Sequence, residues 1–386
     1  MSRLRRLAAV TLAVTVAGCG TAGGQVRPTA APPATVGLAT IQAPGATWAV
    51  VEMGGSAARH DNFWQLFVRP VGATAWRLVT PPGVASNGGL VLAAQISPVR
   101  SAGTSVIAGF LPSQILAFSP LAASADNGAT WSAGVLDAGL VRVPDALAVS
   151  PAGGRLALVT GGEVQQAAPF PSATWSRLTS TRRLAGTVPG RRCQLTGLTA
   201  VSFAHSGEPL VAGDCAHPGV AGIFSHSAGT WQPSGPTLPG GLAGARVQVL
   251  RLTRTPAGNA ALLVARSGGS AALLAAWSGD GTHWTLSAPL SPGTIRAAGF
   301  GASGAVWVLL ASGQARTIAS PSAGARWHPL LSPRPGTSVL SFGIKGEIDA
   351  LVARGSVLTG WRLPAGAATW QLAQTIHVPI AYGSSG

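Results

Sequence analysis

The chain of 386 residues is 47% hydrophobic and only 10% charged, with 26 basic side chains against 11 acidic ones. An average soluble domain carries about 25% charged residues. The balance here excludes intrinsic disorder, which needs few apolar residues and many charges. No apolar run reaches the roughly 18 residues of a spanning helix, which excludes a helical protein of several spans. The length accommodates two or three ordinary domains or one large repeat architecture, and 12 Trp against a single Tyr is the oddity to be explained.

At the start, Met1–Arg6 carries three arginines, and Leu7–Gly18 is a short run of small and aliphatic residues before Cys19. A basic stretch, a short apolar stretch and small residues before a cut site mark residues 1–18 as a secretory signal. The run is too short to cross a bilayer as a helix. The sequence V-A-G-C at residues 16–19 resembles a bacterial lipobox. The resemblance implies diacylglyceryl attachment to the Cys19 thiol, cleavage before it and acylation of the new amino terminus. Two or three acyl chains anchor stably where one is marginal. The expected location is the cell envelope, on the outer face of the cytoplasmic membrane; ordinary secretion with an incidental Cys is the alternative. Residues 19–36 are rich in Gly, Pro, Ala and Thr and read as the lipidated Cys and a flexible tether.

Residues 37–386 read as one unit repeated. The marker is a Trp preceded by a small, turn-like cluster, at Trp76, Trp131, Trp175, Trp231, Trp284, Trp327 and Trp370, with spacings of 55, 44, 56, 53, 43 and 43. A period near 49 falls in the range of propeller blades rather than short solenoid repeats. Each period holds four short apolar runs bounded by Gly, Pro, Asn and Ser. In the fifth copy these are Val247–Leu252, Ala260–Ala265, Ala271–Trp277 and Trp284–Leu286. In the sixth they are Ile295–Phe300, Ala305–Leu310, Ala315–Ser320 and Trp327–Leu330. Nothing helix-like of ten residues follows residue 40. The expected fold is all-β: a seven-bladed β-propeller of four-stranded antiparallel blades. Thr375–Ile380 either extends the last strand or closes the ring.

The turns before the Trp carry a family resemblance. Ser124, Asp126, Gly128, Thr130 and Trp131 fit S-x-D-x-G-x-T-W, and the chain resembles the Asp-box (BNR-repeat, sialidase-like and YVTN-like) propellers of bacteria. Ser278, Asp280 and Trp284 form a variant one residue shorter, and Ser320, Gly324 and Trp327 keep the spacing without the Asp. The resemblance implies a structural brace on the third-to-fourth-strand turn, away from the ligand face. An ionised Asp accepts from turn N–H groups, and the Trp buries a large surface between blades.

With that topology the ligand face carries the second-to-third-strand loops and the blade-to-blade connections. The polar residues placed there are Arg59, His60, Asp61, Glu163, Arg191, Arg192, Asp214, His217, Arg266 and Arg354. Clustered arginines suit carboxylate, phosphate or uronate groups; ordinary solvated loop charge is the alternative. If Cys19 is acylated, Cys193 and Cys215 remain in an oxidising compartment. Cys193 is expected at the start of the first strand of blade 4 and Cys215 at the end of the second. These positions share one end of the blade and fit a disulfide; two buried free thiols are the alternative.

Sialidases of this fold use an arginine triad, a Tyr paired with Glu and a further acid. The only Tyr is Tyr382, near the C-terminus, and Arg69 in Phe67–Pro70 lies inside a presumed strand. Asp61 with Asp214 or Glu163 is the one carboxylate pairing for another glycosidase or lyase. His60, Asp61, Asp214 and His217 lack zinc-ligand spacing, so no metal and no cofactor are expected. No phosphate-cradling Gly loop with Lys and no nucleophile elbow occurs, and the Trp read as core rather than as stacking platforms for nucleic acid. The expectation is a monomeric, non-catalytic binding or assembly module. Its partners would be the membrane, through Cys19, and an envelope protein or anionic polysaccharide. A carbohydrate-active enzyme on a degenerate sialidase-like scaffold is the alternative.

Overall fold

The structure, a computed structural model, describes residues 38–43, 45–55, 62–84, 89–95, 105–111, 121–132, 143–169, 174–255, 257–301, 303–330, 334, 336–343 and 346–379. Nearly all regular structure among them is β-strand, arranged as consecutive antiparallel meanders.

The first meander is β1–β4 (Leu38–Ala43, Ala46–Gly54, Asn62–Pro70, Arg77–Leu78), and the second β5–β7 (Leu90–Ala94, Val106–Phe110, Leu121–Ser124). The third is β8–β11 (Ala146–Val149, Arg155–Val159, Glu163–Ala167, Trp175–Ser180). Two short helices follow, α1 (Thr181–Ala185) and α2 (Val188–Cys193). The fourth is β12–β15 (Leu195–Phe203, Pro209–Cys215, Gly222–Ser227, Thr230–Pro233), and the fifth β16–β19 (Arg246–Thr255, Gly258–Ser267, Ser270–Ser278, Thr285–Leu286). The sixth is β20–β23 (Ile295–Phe300, Val306–Leu310, Ala315–Ile318, His328–Pro329). The last is β24–β27 (Thr337–Phe342, Ile348–Arg354, Val357–Leu363, Gln371–His377). Two larger sheets each join two meanders: β1 pairs with β20 in parallel, and β13 meets β16 at Cys215 and Val247.

Burial explains why the runs are continuous rather than alternating. Every residue of β5, β6 and β21 is buried, so both faces are covered and both want apolar side chains. Fourth strands lie at the rim: β15 and β27 are mostly exposed. First strands of successive meanders lie side by side, β1 with β5, β5 with β8, β8 with β12, β12 with β16, β20 with β24 and β24 with β1. The first strands β12, β16, β20 and β24 each carry a bulge against the second strand, for instance between Val249 and Arg251. A bulge adds twist to the strand that carries it, and its recurrence is the geometric counterpart of the sequence repeat. Thr375 continues β27, which pairs antiparallel with β26, so this segment extends the last strand.

The connection holding Arg182, Arg183, Arg191 and Arg192 is helical rather than a plain loop. Ser180 caps α1 and Thr187 caps α2, each side chain accepting from a backbone N–H of the first turn. Cys193 consequently ends α2 instead of beginning β12.

Candidate functional site

The Ser-x-Asp turns are closed by hydrogen bonds. At the end of β7 the Ser124 hydroxyl donates to Asp126 Oδ1 at 2.8 Å and accepts from Gly128 N at 2.9 Å. Asp126 also accepts from Thr130 N at 2.9 Å and from the Thr130 hydroxyl at 2.5 Å. The Thr130 hydroxyl, then its N–H and Ser124, hold the Asp126 carboxyl down at about 2. Gly128 has φ +75°, and a Cβ there would meet Val79 at 2.8 Å, so conformation and space both require Gly. After β18, Ser278 donates to Asp280 at 3.0 Å, and Asp280 accepts from Thr282 N at 2.7 Å and His283 N at 2.8 Å. Contact with the His283 ring holds Asp280 well below the usual carboxylate range and raises His283. Around Ser320 and Gly324, where no Asp is present, Gly324 N donates to Leu286 O at 2.8 Å. These carboxylates serve their own turns.

Three of the marker Trp residues reach backward along the chain. Trp131 Nε1 donates to Val79 O at 2.9 Å, Trp284 Nε1 to Ser234 O at 2.5 Å and Trp327 Nε1 to Ala288 O at 3.1 Å. Each acceptor lies just after the fourth strand of the preceding meander. Trp76, in the first meander, has no predecessor, and its Nε1 donates to Asp349 in the last one at 3.2 Å.

Cys19, the expected lipidation site, and Arg59, His60 and Asp61, expected at the ligand end, lie outside the described residues. Asp214, near the end of β13, is half-buried; its Oδ2 takes a 3.5 Å contact from Gln248 Nε2, and Oδ1 is buried without a partner. Burial pushes its carboxyl up to about 6, against the opposing pull of Arg266, so these two are brought together. Glu163, which begins β10, is held by Arg177 at 2.8 Å and accepts from Gln165 at 3.0 Å. Arg191 turns back onto the Gly186 carbonyl, and the His217 ring lies 3.0 Å from the Pro218 carbonyl. Arg192, Arg266 and Arg354 are exposed. Cys193 and Cys215 are joined in a disulfide with Cα atoms 5.0 Å apart. It sits against Gly222, where a Cβ would come within 2.7 Å of Cys215 Sγ. No group of three or more His, Cys, Asp or Glu side chains could hold a metal among the described residues.

Two features have no counterpart in the sequence reading. At the contact of the first and last meanders, Asp349 is 2% exposed and binds Arg69 Nη1 at 3.0 Å and Arg362 Nε at 2.9 Å as well as Trp76. Arg69, noticed only as part of a sialidase-like string, is a buried structural partner; Asp349 lies 280 positions away, so no spacing joins them. The second is the pair Arg251 and Arg254 on β16, buried among first strands.

No protein family and no curated protein matches the sequence. Solved structures do match in shape. YCF48 from Cyanidioschyzon merolae is 15% identical over 77% of this chain and 88% of its own, with a TM-score of 0.51. A protein from Lactobacillus plantarum is 12% identical over 87% and 97%, with a TM-score of 0.50. YCF48 bound to D1 peptide is 17% identical over 75% and 83%, with a TM-score of 0.46. The fold is propeller-like. At such identities the likeness describes the backbone alone, since unrelated functions share such folds.

Proposed function

We propose that the meanders are the blades of one seven-bladed β-propeller of the Asp-box type, tethered through a lipidated Cys19 to the outer face of a bacterial cytoplasmic membrane. It acts there as a non-catalytic binding or assembly module. The observation that carries this reading is the chemistry of the second-to-third-strand ends. Arg266 near the end of β17 and Arg354 at the end of β25 are exposed, as is Arg192 in the neighbouring helix α2, while Glu163 is engaged by Arg177 and Asp214 faces Arg266 with its Oδ1 left unpartnered. A glycosidase needs two carboxyl groups flanking one bond, roughly 5–9.5 Å apart; among the described residues none of these neighbours is a second carboxylate, and Asp61, expected to pair with Asp214 or Glu163, lies outside them. Exposed guanidinium forks match acidic groups, and the net charge of +15, which becomes +12 once Arg3, Arg5 and Arg6 leave with the signal, attracts them at range. The partner is an acidic surface of an envelope protein, with an anionic glycan as the other occupant of the same end.

The test is capture from native envelope by the anchored protein, compared with the triple variant Arg192→Ala, Arg266→Ala and Arg354→Ala. The triple variant should lose the partner, and glycan-degrading treatment of the envelope separates the two occupants. Identical capture by both forms would sink the proposal. Radiolabelled palmitate should enter the parent chain but not Cys19→Ala. Turnover of a glycan panel that disappears in Asp214→Asn would instead establish the enzyme reading.

A further inference from the structure

The two short helices between the third and fourth meanders form a basic platform. The chain has no acidic residue between Glu163 and Glu208, while Arg182 and Arg183 end α1 and Arg191 and Arg192 end α2. All four arginines are exposed, and none forms an ion pair among the described residues. Arg191 turns onto the Gly186 carbonyl, as cations do near the carbonyl end of a helix. Arg182, Arg183 and Arg192 make no side-chain hydrogen bond among the described residues. Between the two arginine pairs stands Val188, the first residue of α2. It is 71% exposed, more than any other large hydrophobic side chain among the described residues.

The backbone beneath these side chains is held at both ends. Thr181 N donates to Gly162 O at 2.7 Å, and the Thr187 hydroxyl donates to Leu184 O at 2.6 Å. Leu184, Pro189, Gly190 and Cys193 are buried, and Gly190 lies so close to the Leu184 carbonyl that a Cβ has no room. The disulfide, with His217 N donating to Cys193 O at 3.1 Å, secures the far end. A fixed backbone thus carries long, largely unbonded cations around an apolar tip. No neighbour preorganises their forks for one particular acidic group. They suit a diffuse anionic surface, where guanidinium groups meet headgroups and an apolar side chain enters the boundary beneath them. An acidic protein surface would account for the arginines but not for Val188.

We propose that α1 and α2 form a membrane-contact element that binds anionic phospholipid headgroups through Arg182, Arg183 and Arg192 and seats Val188 at the acyl boundary. This surface goes beyond the acidic-partner site, shares only Arg192 with it, and takes from that reading only the tethered setting. From Cys19 to Leu38 the chain can reach about 65 Å when fully extended, so the platform can meet the bilayer that holds the anchor. Tethering makes that meeting intramolecular, and a weak contact then suffices to set how the domain faces the membrane.

The experiment is vesicle co-sedimentation of the full chain carrying Cys19→Ala, so that no acyl chain contributes; any contribution of residues 1–18 is common to every form compared. The vesicles are phosphatidylcholine alone, or phosphatidylcholine and phosphatidylglycerol in equal parts. The parent should prefer the mixed vesicles, and amide exchange in residues 181–193 should slow on them. Arg182→Gln with Arg183→Gln should weaken that binding roughly tenfold or more, by an amount that shrinks as salt is raised. Arg182→Lys with Arg183→Lys should bind like the parent, because headgroup attraction needs the charge and not the fork. Val188→Ser should weaken binding severalfold, and that loss should persist at raised salt. Arg77→Gln with Arg326→Gln removes the same charge from exposed positions elsewhere and should change little. All these variants keep Arg192, Arg266 and Arg354, so failure here is distinct from failure of the capture experiment. The proposal is overturned if the parent does not prefer the mixed vesicles, if the Arg182 and Arg183 glutamine variant binds them like the parent, or if the Arg77 and Arg326 variant loses as much. It also falls if the glutamine variant keeps its vesicle binding and instead loses an envelope protein, which would make the platform a protein site.

Discussion

Two carboxylates in this protein answer pH in opposite senses because their surroundings differ. Asp126 is solvated and bonded in its charged form, so its carboxyl is held at about 2. Its contribution is present above the ordinary value of 3.8 and is lost as pH falls toward 2. Asp214 is raised to about 6 by burial, so folding favours its protonated form. That contribution is complete below 3.8 and is lost as pH rises through 6. Above pH 6 the native state therefore holds a half-buried charge with an unpartnered Oδ1. Asp214→Asn should stabilise the protein at pH 7.5, and the gain should shrink as pH is lowered to 4.5. Urea midpoints of parent and variant at both pH values check this. A gain of equal size at the two values would show that Asp214 is not raised.

At the scale of elements, legibility followed burial. The fifth and sixth repeats could be placed to within a few residues, because continuous apolar runs between Gly and Pro signals are what strands covered on both faces require; Ile295–Phe300 is the same in sequence and structure. The helices α1 and α2 are not legible in the sequence because five or six residues show no 3.6-residue period, and Arg191 and Arg192 read as part of a ligand-face connection. Their local signals, Ser180 and Thr187 as caps and Pro189 in the first turn of α2, were present. The disulfide fastens the end of α2 to the end of β13 across a separation of 22 residues. Closing a loop of that size is worth about 3 kcal/mol in the chain-entropy account. Cys193→Ser with Cys215→Ser should lose about that much in denaturant unfolding, and a reductant should then have no further effect on the variant. Gly222→Ala should lose stability in both the disulfide and the double-Ser forms, since the added Cβ meets the Gly213 carbonyl as closely as Cys215 Sγ, each at 2.7 Å.

At the scale of the molecule, four of the seven marker Trp residues bond a different repeat through the indole N–H. Trp131, Trp284 and Trp327 each bond the meander before them, and Trp76 extends the same rule from the first meander to the last. The two ends of the chain are joined there by side chains. Gln374 accepts from Trp76 N at 2.7 Å and donates to Trp76 O at 2.8 Å, and Arg362 donates to Thr74 O at 3.1 Å. Asp349 is the centre, because it is the acceptor shared by Arg69, Arg362 and the Trp76 indole. The sequence could expose the repeat but not this junction, whose partners are about 280 positions apart and look like ordinary strand residues. Asp349→Ala should cost about 3 kcal/mol, at the low end for breaking a buried ion pair, because Glu347 stands 3.7 Å from Arg69 and takes part of the charge. Asp349→Asn, which keeps an acceptor for Trp76, should cost less. Amide exchange shows where the loss falls. If Asp349 joins the two ends, protection drops together in β2–β3 and in β24–β26 while β17–β18 stays protected, since local opening follows contiguous cooperative units. A drop confined to β24–β26 would mean that Asp349 stabilises its own sheet and that the first and last meanders are held together by something else.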